Sequence, residues 1–166
     1  MRYSIALTSQ TNNILRDHLV RADGQEDVCY ALWNPAQGAH RMSAFIMEPI
    51  LPNDGDRHVH GNASTTSEYL SRAIKAATAK KCGIVFLHSH PFPGWQGMST
   101  DDINTERRQA ITAKATTGLP LVGMTIGTDG SWSGRFWPKT APKTYQRRWC
   151  ENVRVIGEKG LDVTFN

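Results

Sequence analysis

Apolar and polar positions alternate along this chain in a way that divides it into short strands with three helical stretches between them. Residues 2–8 alternate as a strand with one buried face. Asn12 to Val20 repeats apolar positions at helical spacing and predicts a short helix with Ile14, Leu15 and Leu19 turned inward. Asp23-Gly24 supplies a turn. Val28 to Trp33 is an apolar strand, and Asn34-Pro35 to Gly38 reads as the turn into a partner strand, Met42 to Ile50. Asn53 to Asp56 is an exposed loop. Thr65 and Glu68 have capping-box spacing and open a second helix with a stripe of Leu70, Ala73, Ile74 and Ala77. Gly83 precedes a buried strand, Ile84 to Leu87. A third helix over Asn104 to Ala115 leads through Gly118-Leu119-Pro120 to a strand, Leu121 to Gly127. Asp129-Gly130 then turns the chain into a return strand, Trp132 to Trp137. Val153 to Gly157 and Leu161 to Phe165 read as short terminal strands.

Helices between early strands and hairpins between later ones predict an α/β fold with a mixed central sheet. Parallel neighbours joined through a helical crossover would place the C-terminal end of the Ile84 strand at a sheet-edge crevice, where ligands commonly bind. The 166 residues, 39% hydrophobic and 20% charged, fit one globular domain. No apolar run approaches the ~20 residues of a membrane helix. Met1 to Ile5 begins directly in a strand pattern without a signal-peptide core, so the expected location is cytoplasmic. Cys29, Cys82 and Cys150 are far apart and odd in number, which gives neither a disulfide framework nor a CxxC knuckle and suits reduced thiols. A net charge of +4 permits contact with nucleic acid without requiring it. Lys139, Lys143, Arg147, Arg148 and Arg154 gather around Tyr145 and Trp149, as a solvated connector or as a surface for phosphates or an acidic partner.

The candidate chemistry lies at His88-Ser89-His90-Pro91, directly after the buried strand. Residues two apart in a strand point to one side, so both imidazoles can meet one metal ion. Residues 91–98, with Pro91, Pro93, Gly94 and Gly97, form a loop able to return sharply. It delivers Ser99-x-x-Asp102. Two imidazoles and one carboxylate are the ligands of a catalytic zinc that keeps a position for water, and the mixed nitrogen and oxygen set favours zinc over magnesium or calcium. Ser99-x-x-Asp102 also fits a helix capping box, and the two roles are compatible because a carboxylate in a first helical turn is firmly held. A second pair, His58-Val59-His60, stands in a polar segment with no returning carboxylate and reads as surface, as do His18 and His40.

The order of apolar strand, HSHP, Gly/Pro loop, SxxD and helix resembles the JAMM zinc metallopeptidases, also called JAB or MPN-plus. Their signature is an upstream Glu, then HxHP and, after a short spacer, SxxD. The spacer here, residues 91–98, is the longer form, nearer to bacterial members. The resemblance covers roughly residues 1–138 and implies a three-layer α/β/α domain similar to cytidine deaminases. Residues 139–166 would be a C-terminal extension packed on it. It further implies one Zn2+ on His88, His90 and Asp102, a glutamate as general base, and the Ser99 hydroxyl steadying the oxyanion. Three residues compete for the base: Glu26, whose setting is similar to bacterial members, its neighbour Asp27, and Glu48 before Pro49. Phe92 and Trp95 in the metal loop either grip substrate or pin the loop. The implied activity is deubiquitinase-like isopeptidase cleavage after the C-terminus of a ubiquitin-like protein. Separate activating and conjugating enzymes of one operon would be partners, in some cases in antiphage defence. Nucleic acid and membrane are not expected partners. The alternatives are a noncatalytic MPN scaffold and a DNA-associated JAB-type protein. A base deaminase is disfavoured because the chain has no CxxC.

Overall fold

The computed structural model describes residues 1–157 and 160–165. In chain order its elements are β1 (Arg2–Thr8), α1 (Ser9–Leu19), β2 (Val28–Gln37), β3 (Arg41–Ile50), β4 (Arg57–His60), β5 (Asn62–Thr65), α2 (Ser67–Lys80), β6 (Gly83–Ser89), α3 (Thr100–Thr117), β7 (Leu121–Ile126), β8 (Trp132–Trp137), β9 (Lys139–Ala141), β10 (Thr144–Tyr145), β11 (Arg148–Trp149), β12 (Asn152–Ile156) and β13 (Leu161–Phe165). A mixed nine-stranded sheet runs β11-β8-β7-β6-β2-β3-β1-β12-β13, and β4/β5 and β9/β10 form small separate hairpins. The terminal segment enters this sheet: β12 lies parallel to β1, β13 is antiparallel to β12, and β11 pairs with β8.

Strand alternation sorts the core onto two faces. Cys29, Ala31, Trp33, Val85 and Leu87 pack with Leu15 and Leu19 of α1. The intervening Val28, Tyr30, Leu32, Ile84 and Phe86 pack with Tyr69, Ala73 and Ala77 of α2 and Ala110 and Ala113 of α3. The sheet curls, so that β8 meets β1 although they are not neighbours in it. Tyr3 stacks on Phe136 at 4.6 Å, and the Cys150 amide donates to the Gly134 carbonyl at 2.9 Å. Gly134 is needed there, because a Cβ would strike the Ile5 side chain and lie 3.2 Å from Val153. No helix among the described residues is long and apolar enough to cross a membrane. Cys29, Cys82 and Cys150 are buried and form no disulfide.

Local expectations shift at several points. Helix α1 starts at Ser9 rather than Asn12 because the Thr8 hydroxyl caps it, accepting from the Thr11 amide at 3.1 Å. Its buried stripe is Thr11, Leu15 and Leu19, four residues apart, which leaves Ile14 40% exposed. Asn34-Pro35 makes no turn: β2 continues to Gln37 with Pro35 opposite Ala44. Proline is tolerated there because β2 has outrun β6, whose pairing stops at Trp33. The turn falls instead after Gln37, where the Gly38 amide donates to the Arg41 carbonyl at 2.8 Å. The cap of α2 is Thr66, not Thr65, which ends β5 with its hydroxyl 3.0 Å from that of Tyr30. Helix α3 begins at Thr100, not Asn104. His18 is not a surface residue: its Nε2 lies 3.1 Å from the Val28 carbonyl oxygen and 3.6 Å from Asp27 Oδ1.

Candidate metal centre

The centre forms where β6 ends. β6 and β7 run parallel and are joined through α3, with His88 opposite Thr125 and Ser89 opposite Ile126. His88 continues the face of Ile84 and Phe86, the face covered by α3. Past the strand, the His90 amide donates to the Ile126 carbonyl at 3.0 Å, which holds the chain extended for one more residue. The two imidazole rings lie 4.9 Å apart between centroids.

Asp102 reaches them from the first turn of α3. The capping box is complete: the Asp102 amide donates to Ser99 Oγ at 3.1 Å and the Ser99 amide to Asp102 Oδ2 at 2.8 Å. Its carboxylate faces both rings, with Oδ1 3.6 Å from His88 Nε2 and Oδ2 3.5 Å from His90 Nε2. Ligand atoms of the three residues all lie within 4.8 Å of one another, the one such cluster among the described residues. Bonds of ~2.0–2.1 Å to a tetrahedral ion would separate ligand atoms by about 3.4 Å, so this spacing fits. The other ring nitrogen of His88, Nδ1, is buried and has no hydrogen-bond partner among the described residues.

The electrostatics suit ligation. Burial, reinforced by the charge of Arg135, pushes the His88 pKa down to about 3, which keeps its imidazole neutral. The hydrogen bond to Asp102 raises that of His90. Burial works against the Asp102 carboxylate, but His90, His88 and the Ser99 amide outweigh it and hold the group well below the usual carboxylate range.

A buried polar network stands behind His88. The Thr125 hydroxyl lies 3.2 Å from His88 Nε2 and accepts from Arg135 Nη1 at 2.7 Å. Arg135 pairs with Glu106 of α3, which also accepts from Trp137 Nε1 at 2.6 Å. Sequence reasoning missed this network; its one visible signal was a charged residue, Arg135, inside the strand Trp132–Trp137. It also missed Gln96, whose buried amide donates to the carbonyls of Phe92, Pro93 and Gly94, each at 3.0 Å, and so folds the loop. Gly127 lets that loop approach: a Cβ would sit 2.8 Å from the carbonyl oxygens of both Phe92 and Gly94.

The other candidates fall in different places. Glu26 lines a cavity of about 460 Å³ together with His88, His90, Ser99, Asp102 and Phe92. Burial raises its pKa, with His90 lowering it and Asp102 raising it further. Asp27 is 1% exposed and committed to Arg57 and Arg21, away from that cavity. Glu48 pairs with Lys80 and lies opposite Leu32, which faces Ile84 at the far end of β6 from His88. Phe92 is 66% exposed on the cavity rim, whereas Trp95 packs against Trp149 at 4.9 Å. His58 and His60 are exposed on β4, next to the β5 residues Asn62 to Ser64 that form one cavity wall.

No family model and no curated protein matches the chain. Among solved structures it is similar to the solution structure of protein DSY2949 from Desulfitobacterium hafniense, at 17% identity over 97% of this chain and 90% of that one, with a TM-score of 0.45. A likeness of that degree carries no argument.

Proposed function

We propose that this protein is a zinc-dependent metallo-isopeptidase of the JAMM type, with a three-layer MPN/JAB fold, that cleaves the bond after the C-terminus of a ubiquitin-like protein. The observation that supports this reading most is the convergence of His88, His90 and Asp102, with the Glu26 carboxylate in the same cavity. Those three residues would hold the zinc. When bound, zinc polarises a carbonyl and brings the pKa of water to about 7.

Glu26 takes the proton of the attacking water and returns it to the leaving amine. Its raised pKa suits both halves, since a more basic carboxylate accepts the proton more readily and its acid form persists to higher pH, available to pass the proton on. Ser99 donates its hydroxyl proton to the oxygen that becomes negative. Capping uses a lone pair of Ser99 Oγ, accepting from the Asp102 amide, and not that proton, for which the oxyanion competes with the Asp102 carboxylate. Asp102, bonded to the Ser99 amide, keeps both ligand and donor on one helical turn.

Two measurements test the reading. Purified protein should contain zinc in one-to-one ratio, and it should cleave a fusion made after the C-terminus of a ubiquitin-like protein encoded beside it. Glu26→Gln should keep the zinc and lose about 10²–10⁴ in turnover. Protein without zinc at micromolar metal would overturn the proposal in favour of a scaffold, and full turnover by Glu26→Gln would remove Glu26 from the mechanism.

A further inference from the structure

A groove of about 370 Å³ opens on the other side of α3, lined by Ile103, Arg107, Trp137, Tyr145, Gln146 and Arg147. Its charge is one-sided. No acidic residue occurs between Lys139 and Cys150. Among the described residues, Arg107, Lys139, Lys143, Arg147 and Arg148 have no carboxylate within ion-pair distance. Several other cations are neutralised, Arg2 and Arg41 by Glu151, Arg57 by Asp27, Arg72 by Asp56 and Lys80 by Glu48; unpaired ones among the described residues, such as Arg16, Lys75 and Lys81, do not line the groove.

Arg147, and Arg148 beside the groove, are held in place without being discharged. The Arg147 guanidinium lies 4.9 Å from the Trp149 ring and its Nη1 3.4 Å from the Met98 sulfur. Arg148 donates to Gln146 Oε1 at 2.8 Å. Neither an aromatic face nor a neutral acceptor cancels a positive charge, so Arg147 and Arg148 are already positioned while their demand for an anion remains.

We infer that this groove docks an acidic segment of a protein partner. Guanidinium groups pair two-pronged with carboxylates, which gives glutamate and aspartate side chains a geometric match as well as a charge match. Single-stranded nucleic acid fits less well. It needs open aromatic faces for its bases, yet Trp149 is flanked by Trp95 at 4.9 Å and by Arg147, and Trp137 is 1% exposed. The groove shares α3 with the metal centre, because Asp102 stands in the first turn of the helix that carries Arg107. It is tied to the metal loop through Trp95 and Trp149. A partner seated in it therefore lies beside the cavity that holds Glu26.

The test uses the full chain, a fluorescein-labelled glutamate-rich peptide and an oligothymidylate of equal charge, with fluorescence anisotropy across a salt series. The peptide should bind, and Arg107→Ala with Arg147→Ala should weaken it by about tenfold. Arg2→Ala with Arg41→Ala, which removes as much charge elsewhere, should change it by less than about twofold. Arg107→Glu alone, at an exposed side chain with no packing to lose, should weaken binding as well. The inference is overturned if wild type does not bind the peptide, if both arginine pairs matter equally, or if the oligothymidylate binds more tightly through the same pair. Docking needs no metal, so zinc-free protein should bind the peptide as well as zinc-loaded protein does.

Discussion

Replacing Glu106 by glutamine removes the charge that faces Arg135 in the core. Both side chains are fully buried, at 0% exposure. Glu106 accepts from Arg135 Nε at 3.0 Å, from Arg135 Nη2 and from Trp137 Nε1 at 2.6 Å. A glutamine keeps one acceptor oxygen and leaves the guanidinium uncompensated. Breaking a buried pair from one side costs about 3–5 kcal/mol, a large fraction of the ~5–15 kcal/mol that holds a domain folded. At a urea dependence of about 2 kcal/mol per molar, the unfolding midpoint should fall by about 2 M. Tryptophan fluorescence reads the transition directly, because Trp132 and Trp137 are buried. A second variant separates stability from positioning. Glu106→Leu combined with Arg135→Met removes both charges, and such exchanges are often neutral or stabilising. The Thr125 hydroxyl, which stands against the His88 ring, then loses the donor that orients it. Zinc affinity, measured by competition with a chromophoric chelator, should therefore fall by about 10- to 100-fold although the fold has recovered. A midpoint shift below about 0.5 M for Glu106→Gln would refute the energetic argument, and wild-type zinc affinity in the double variant would refute the positioning argument.

Three further outcomes follow from the same geometry. Gly123→Ala places a Cβ 2.7 Å from the Glu106 carboxylate carbon, and should destabilise by about 1–3 kcal/mol in thermal unfolding. Asp27 is buried, which opposes its charge, but Arg57, the Val28 amide, His18 and Arg21 together hold its pKa below the usual range. The stability it contributes is present above the ordinary carboxylate pKa and is lost as pH falls through the depressed one, so Asp27→Asn should flatten the acid limb of a plot of Tm against pH. Ser89→Ala removes the acceptor of the Asp27 amide, a bond of 2.9 Å, and should cost about 1–3 kcal/mol while leaving zinc affinity unchanged.

What was legible in the chain was local. The apolar run into His88, the two-residue spacing of the histidines and the Ser99-x-x-Asp102 cap each depend on neighbours a few positions apart, and the structure brings those three side chains together. Helix starts were misplaced by a few residues where a neighbouring threonine or serine took the cap, as Thr8 and Thr66 did. The Asn34-Pro35 pair carried a turn signal that tertiary context overrode, since proline sits easily in a strand that has lost a neighbour on one side. Long-range facts left no local trace. Nothing near Glu106 announces Arg135, because their meeting requires α3 to lie across β7 and β8 where Gly123 makes room. The parallel pairing of β12 with β1 is likewise set by the curl of the sheet.

The residue between the two histidines shows how these levels join. Alternation turns His88 and His90 toward α3 and Ser89 to the opposite side. There Ser89 and Asp27 are bonded reciprocally, the Ser89 amide to the Asp27 carbonyl at 3.0 Å and the Asp27 amide to Ser89 Oγ at 2.9 Å. Asp27 is adjacent in sequence to Glu26, and its carboxylate is gripped by Arg57 at the start of β4 and by Arg21 beyond α1. The Glu26 amide in turn donates to the Gly61 carbonyl in the turn between β4 and β5. The segment that carries the proposed base is therefore fixed to the strand that carries the proposed ligands, to the hairpin that walls the cavity and to the end of α1. Asp27 competed with Glu26 for the catalytic role because it stands next to it. Its burial and its arginines give it a different duty: a carboxylate so firmly committed is held in its charged form, and that commitment fixes its neighbour in the wall of the cavity.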